Sequence, residues 1–440
     1  MVSAKFGKRS AGRMGFAAHA YQNRKAAEAF AVAMASRILC IGGMKMVSYR
    51  VLKARIDRDK AKKEARRAAL REKYDCLEKV FTLRHYVRSM RKCRKGVSFK
   101  LSVQNYSARP FRMMEDDCES MLRGVAPPLA TGKKEVIRER GKERIITPIK
   151  IRDRMNQRVL CDYALNPMIH RRLIYDNGAS MKDKGVSFAR KRLNRMLEKA
   201  KYLWGNQFYV MIFDFRKFFD SIPHRLCWQE LRKAFRDERL ADLTMQIIEG
   251  YQMMEAGKAR DVERMEMLKR HEGYGVCLGS HVSQLMALCV PNFLDHYVKD
   301  VRRVKFYIRY MDDGIILHQD KAFLKQLLRD MVRVCAENGL NLNWTKTHII
   351  PVRLGFTFLK IRYRIVDRKT VRKLSRSTVV RMRRRLNRFG GLVAQGRMTM
   401  SMVRDSLQSW LGHTKMAMAF RQRKRMKQIY RSIFREGAAA

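Results

Sequence analysis

The sequence predicts an α+β protein, and three observations carry that prediction. Two short apolar runs flank an acidic dipeptide in FYIRYMDDGIIL (Phe306 to Leu317), which reads as a β-hairpin with Met-Asp-Asp-Gly as its tight connection. A third apolar run, in FYVMIFDFRKFFDSIPH (Phe208 to His224), reads as a buried strand that ends at Asp214 and gives way to a helix. By contrast, the stretches from about Ser48 to Lys92 and from Arg368 onward are rich in helix formers and basic residues.

Taken in order, residues 1 to about 56 are basic and alanine-rich, with Glu28 the only acidic residue before Asp57. Three readings stand open there: a transit-like leader, a true start at Met44 or Met46, and a basic RNA-binding extension. The next stretch, to Lys92, has the interleaved charges of a long solvated helix. VIRERGKERIITPIKIRDRMNQRVL (Val136 to Leu160) reads as a hairpin about Arg-Gly-Lys, with Asp153 as the N-cap of a following helix. From Ile174 to Leu193 a loop leads into a basic amphipathic helix, and Lys258 to Glu272 reads as a helical connection. A glycine-containing loop then enters an apolar helix near Ser283. After the hairpin a helix runs from about Lys321 to Asn338 and stops at Gly339. LGFTFLKIRYRIV (Leu354 to Val366) alternates as strands do, and the basic helices beyond Arg368 are expected to break at Gly390-Gly391, with Trp410 and Leu411 in their core.

Composition narrows the function classes. The chain has 440 residues, enough for two or three domains with sizeable cores. Its apolar content of 46% and mean hydropathy of −0.42 fit a soluble globular protein. A net charge of +55, spread along the chain, calls for a polyanionic partner along a positive groove. Nine cysteines without C-x-x-C spacing support neither a zinc ribbon nor a disulfide framework, and a reducing cytoplasm is the simplest setting. No run of about eighteen apolar residues is present, so no membrane span is expected.

The chemistry rests on carboxylates. Adjacent Asp312 and Asp313 repel unless a cation shares them, and hard ions such as magnesium take carboxylate oxygens. A lone Asp-Asp turn would be a solvated loop; a second acidic strand end at Asp214 changes that reading. Joined with Asp312, it could hold two metal ions roughly 3.5–4 Å apart, as in-line nucleotidyl transfer requires.

The order of these motifs, from the Asp214 strand through the Gly/Ser/Gln loop and YMDD hairpin to LNLNWTKT and LGFTFLK, resembles a reverse transcriptase from about Val136 to Phe420. It is most similar to bacterial and phage enzymes of diversity-generating retroelements, on the strength of Ser283-Gln284 and SWLGHTKM (Ser409 to Met416). Cys277 departs from that group's pattern, which has proline there. The resemblance implies a right-hand polymerase. Its parts would be a basic extension (1–70), fingers (71–200), an antiparallel-sheet palm (201–366, with fingers elements about 225–275) and a helical thumb (367–440). It also implies a two-magnesium site (manganese as the alternative) on Asp214, Asp312 and Asp313, with Lys346 as general acid to pyrophosphate. Arg138, Lys142 and Arg144 would hold the triphosphate. Phe215, Phe219, Gly279, Ser283 and Gln284 would line the nucleotide, with Phe219 excluding a 2′-hydroxyl. Arg309, Tyr310, Gly355 and Lys360 would contact nucleic acid, the last two in a primer grip. The implied partners are template RNA, a primer or cDNA duplex, deoxynucleotides, a small accessory protein and a structured non-coding RNA, with no membrane. A defence-associated enzyme using a non-coding RNA, and an idle RNA-binding maturase or scaffold, are the alternatives. With the thumb running to the end of the sequence given, no endonuclease or ribonuclease H domain is expected.

Overall fold

A computed structural model describes residues 49–127, 129, 135–139, 142–259, 262–366 and 369–435. Two compact units divide the chain, Met1–Ala69 and Leu70–Ala440. The described part of the first belongs to the helix Tyr49–Tyr74, whose charges are interleaved on all sides. The readings of residues 1–48 fall outside the described residues. The single long helix expected to Lys92 is instead interrupted twice. Helices Leu77–Val80 and Leu83–Arg94 follow the first, and Thr82 Oγ1 caps the third by accepting the His85 N–H. The breaks let Leu77, Val80 and Phe81 turn into the core, which a straight charged helix would have kept in water.

The second unit is α+β, as expected. Strands β1 (Glu135–Glu139) and β2 (Lys142–Ile146) form an antiparallel hairpin. Strands β3 (Tyr209–Asp214), β4 (Phe306–Tyr310), β5 (Asp313–His318) and β6 (His348–Pro351) form one antiparallel sheet in the order β4-β5-β3-β6. Strands β7 (Phe356–Phe358), β8 (Ile361–Val366) and β9 (Lys369–Leu374) make a third sheet.

Strands β3, β4 and β5 are buried on both faces, which is why they read as unbroken apolar runs rather than as alternation. Side chains of successive residues leave a strand on opposite faces. Met211, Phe213, Tyr307 and Ile316 join a large core built with helices such as His224–Ala234, His281–Cys289 and Lys321–Glu337. Val210, Phe306, Ile308, Ile315 and Leu317 join a second core. That core takes the helix Val186–Trp204 through Ala189, Leu193, Met196, Leu197 and Ala200, a stripe at helical spacing, together with the inward residues of β7 and β8. A third, smaller core unites the C-terminal helices Arg376–Ala394, Met400–Thr414 and Phe420–Arg435 through Met382, Leu386, Val403, Leu407 and Met426, with Trp410 and Leu411 half-buried against it.

Three further expectations need correction. Asp153 is not an N-cap: the helix starts at Ile151, so Asp153 lies inside its first turn, buried beside Tyr251. The apolar helix starts at His281, where Ser280 Oγ accepts the Ser283 N–H, two residues before the expected start. Gly390 and Gly391 do not break a helix; both lie within Arg376–Ala394.

Candidate active site

The sheet register assembles the acidic residues. β3 and β5 pair so that Asp214 stands directly opposite Asp313 at the end of the sheet. β4 and β5 pair with Tyr310 opposite Asp313, so the connection is only Met311-Asp312. The tight connection is therefore shorter than Met-Asp-Asp-Gly, since Asp313 and Gly314 already belong to β5. Met311 adopts φ of +56°, the sign that two-residue hairpin turns demand and that side chains seldom take. Gly314 is needed for space: a Cβ there would lie 2.2 Å from the Phe213 ring packed across it.

Asp214 is buried, and its surroundings come from a segment far along the chain. Its main-chain carbonyl accepts the Asn343 N–H at 2.7 Å, and its Oδ2 accepts from Asn343 Nδ2 at 3.2 Å and from the Lys346 ammonium. Its Oδ1 is buried without a partner. Burial first, then the charges of Asp312 and Asp214, push the Asp313 carboxyl up to about 7. Burial and Asp214 raise Asp312 in the same way. Lys346 is raised: its partial burial works against the charge, but the hydrogen bond to Asp214 and the three carboxylates outweigh it.

This donor set fits a hard divalent cation. It offers carboxylates at one sheet end, an unpartnered buried oxygen, and repulsion that a cation would relieve. Among the described residues no group of three or more His, Cys, Asp or Glu side chains is gathered tightly enough to hold a metal as the side chains stand. At Asp214 the cationic partner is Lys346.

The remaining expected residues divide. Phe219 is half-buried, edge-on to Phe218 at 5.7 Å, while Phe218 is buried. Its main-chain carbonyl accepts the Val276 N–H, which ties it to the glycine loop. Phe215 must be corrected: its ring is buried and stacked on Phe218 at 5.1 Å, so only its main chain could face a nucleotide. Gly279 has φ of +119°, and a Cβ there would sit 2.7 Å from the Thr147 carbonyl oxygen, so glycine lets the loop close on the base of the β1–β2 hairpin. Ser283 is buried with its hydroxyl unpartnered, and Gln284 is exposed, donating to Ser180 Oγ at 3.0 Å. Arg138, Lys142 and Arg144 lie on β1 and β2, but their side chains fall outside what is described.

Arg309 is a second correction. It is fully buried, forked onto Asp295 at 2.7 and 2.8 Å and onto the Leu288 and Met311 carbonyls, which puts it beyond the reach of nucleic acid. It braces the turn that carries Asp312. Tyr310 is half-buried; Gly355 leads into β7, and Lys360 is exposed in the β7–β8 turn.

Two residues escaped sequence reasoning. Asn343 holds Asp214 by main chain and side chain. Gln157 braces the glycine loop, its Oε1 accepting from Ser280 Oγ and the His281 N–H at 3.0 Å each, while its amide donates to Tyr251. Asn343 sits in the LNLNWTKT motif, but nothing in its spacing pairs it with a strand end 129 residues earlier.

A family model described as reverse transcriptase (RNA-dependent DNA polymerase) matches residues 132–382. No curated protein matches the chain. Among solved structures, one of apo telomerase from Candida tropicalis, truncated from its C-terminal domain, is 12% identical with a TM-score of 0.40, covering 55% of each chain. Another, of Candida albicans telomerase with a fragment of telomeric RNA, is 12% identical with a TM-score of 0.38. It covers 71% of this chain and 61% of that one. The chain thus spans 55% and 61% of the length of these two structures.

Proposed function

The chain belongs to the reverse transcriptase family, whose members are RNA-directed DNA polymerases and therefore nucleotidyltransferases, and from that premise we propose that it copies an RNA template into DNA at the Asp214–Asp312–Asp313 site. The observation that carries this is the cross-strand pairing of Asp214 with Asp313 beside the Asp312 turn. Two magnesium ions on these carboxylates, when bound, would activate the primer 3′-hydroxyl and neutralise charge on the leaving pyrophosphate.

In this reading the four-stranded sheet is the palm, the β1–β2 hairpin belongs to the fingers, and the three C-terminal helices are the thumb. Arg138, Lys142 and Arg144 grip the triphosphate, since guanidinium forks suit phosphate oxygens. The Phe219 ring lies under the incoming sugar and leaves no room for a 2′-hydroxyl. Lys346 supplies a proton to pyrophosphate, for which a lysine poised by nearby carboxylates is suited. Gly279, Ser283 and Gln284 border the template and nucleotide. Lys360 and Gly355 steady the primer strand.

Ser283-Gln284 and the SWLGHTKM segment favour a more specific role, mutagenic copying in a diversity-generating retroelement with a small accessory protein. Primer extension on an RNA template with magnesium tests both levels. Wild type is expected to incorporate deoxynucleotides over ribonucleotides, and Asp312→Ala to lose about a hundred- to a thousandfold in rate, as expected when charge stabilisation is removed from a transition state. Errors concentrated opposite template adenines support the mutagenic role. Faithful copying of a co-purified non-coding RNA would favour a defence enzyme, and no incorporation with any template would favour an RNA-binding scaffold.

A further inference from the structure

Asp214 presents an electrostatic problem that the fold solves with its own cation. The carboxylate is 3% exposed, and a buried carboxylate with no counter-charge is costly. Its Oδ2 is taken by the Lys346 ammonium and by Asn343 Nδ2, while Oδ1 has no partner.

The segment that delivers the lysine is pinned at its base. Asn343 donates its N–H to the Asp214 carbonyl at 2.7 Å and accepts the Lys346 N–H at 3.1 Å on its own carbonyl. Its Oδ1 accepts from the Thr345 N–H and Oγ1, and Thr347 Oγ1 donates to its carbonyl at 2.8 Å. The main chain at 343–347 is thus tied down, whereas the lysine side chain is 47% exposed. A flexible stem on a fixed base can swing its ammonium off Asp214 without moving the backbone.

We propose that Lys346 is the resident counter-ion of Asp214, displaced when a divalent metal enters, so that metal entry and release of the ammonium are one coupled event. The proposal rests on the metal reading of the three carboxylates. Linkage makes the coupling reciprocal: the lysine weakens metal binding by the factor by which metal weakens the lysine's hold. It also orders events, since Lys346 is free to meet pyrophosphate only after metal has taken Asp214.

The test is manganese binding to the full chain without nucleic acid, read from the paramagnetic resonance signal of free manganese. Lys346→Met and Lys346→Gln remove the charge and are expected to bind manganese about three- to thirtyfold more tightly than wild type. Lys346→Arg keeps a cation and is expected to stay near wild type. In chelator, Lys346→Met should melt below wild type, and saturating manganese should close that gap. Neutral variants that bind manganese no more tightly than wild type would overturn the counter-ion role. Asp214→Asn separates the two ideas. If it binds as well as wild type, the carboxylates are not the metal site and the proposal falls with that reading; if it loses binding while Lys346→Met gains none, the counter-ion role alone fails.

Discussion

Asp313 shows how a single residue reports on the site. With its carboxyl pushed up to about 7, the folded chain holds a proton that the unfolded chain releases near the ordinary carboxylate value. Stability without metal therefore falls as pH rises through the interval between them. Metal needs that proton gone, so stabilisation by saturating magnesium is expected to be small near about pH 5.5 and to level off near about pH 8, as melting temperatures would record. A shift independent of pH would count against Asp313 as a ligand. Arg309 gives the opposite lesson. In sequence an arginine three residues before Asp312 looks like a nucleic-acid contact, yet here both it and Asp295 are fully buried. Arg309→Ala is expected to cost about 3–5 kcal/mol of stability, because it strands a buried carboxylate. In urea unfolding that loss should appear while the salt dependence of RNA binding by the folded fraction stays unchanged. The aspartates were legible because few other arrangements explain them; Arg309 was not, since burial is decided by elements distant in sequence.

Among elements, the C-terminal helices show why a local rule misled. Paired glycines favour a break, but in Arg376–Ala394 the first of them serves packing: a Cβ on Gly390 would lie 2.8 Å from Ile433, on the helix that crosses it. Gly391 faces open space. Gly391→Ala is expected to stabilise by about 0.5–1 kcal/mol through helix propensity. Gly390→Leu should destabilise by about 1–3 kcal/mol by forcing the helices apart. Chemical denaturation of the two variants would separate them, and equal effects would contradict the close approach at Gly390. The hairpin at Phe306–His318 was readable from its β-branched runs, whereas its turn was placed too wide. The cause is Gly314, which the sequence offers as a turn residue and the Phe213 ring requires as a strand residue.

At the scale of the whole molecule, the charge of +55 predicts binding dominated by phosphate contacts. If roughly 6–10 phosphates are engaged, RNA affinity should drop by about 10³–10⁵ between 50 and 200 mM salt, as filter binding would measure. A nearly flat dependence would mean that the basic residues serve other ends. The α+β class and the acidic strand end and hairpin were determined by the sequence alone, because apolar periodicity and adjacent like charges are local properties; net charge, an additive one, gives the expectation of a polyanion partner. Tertiary structure decided what depends on register and distant packing. It set Asp214 opposite Asp313, brought Asn343 and Lys346 onto Asp214, and withdrew Arg309 and Phe215 into the core. Apart from the Phe215–Phe218 stack, each of those outcomes joins residues that no local spacing rule connects, since only the folded chain brings them into contact.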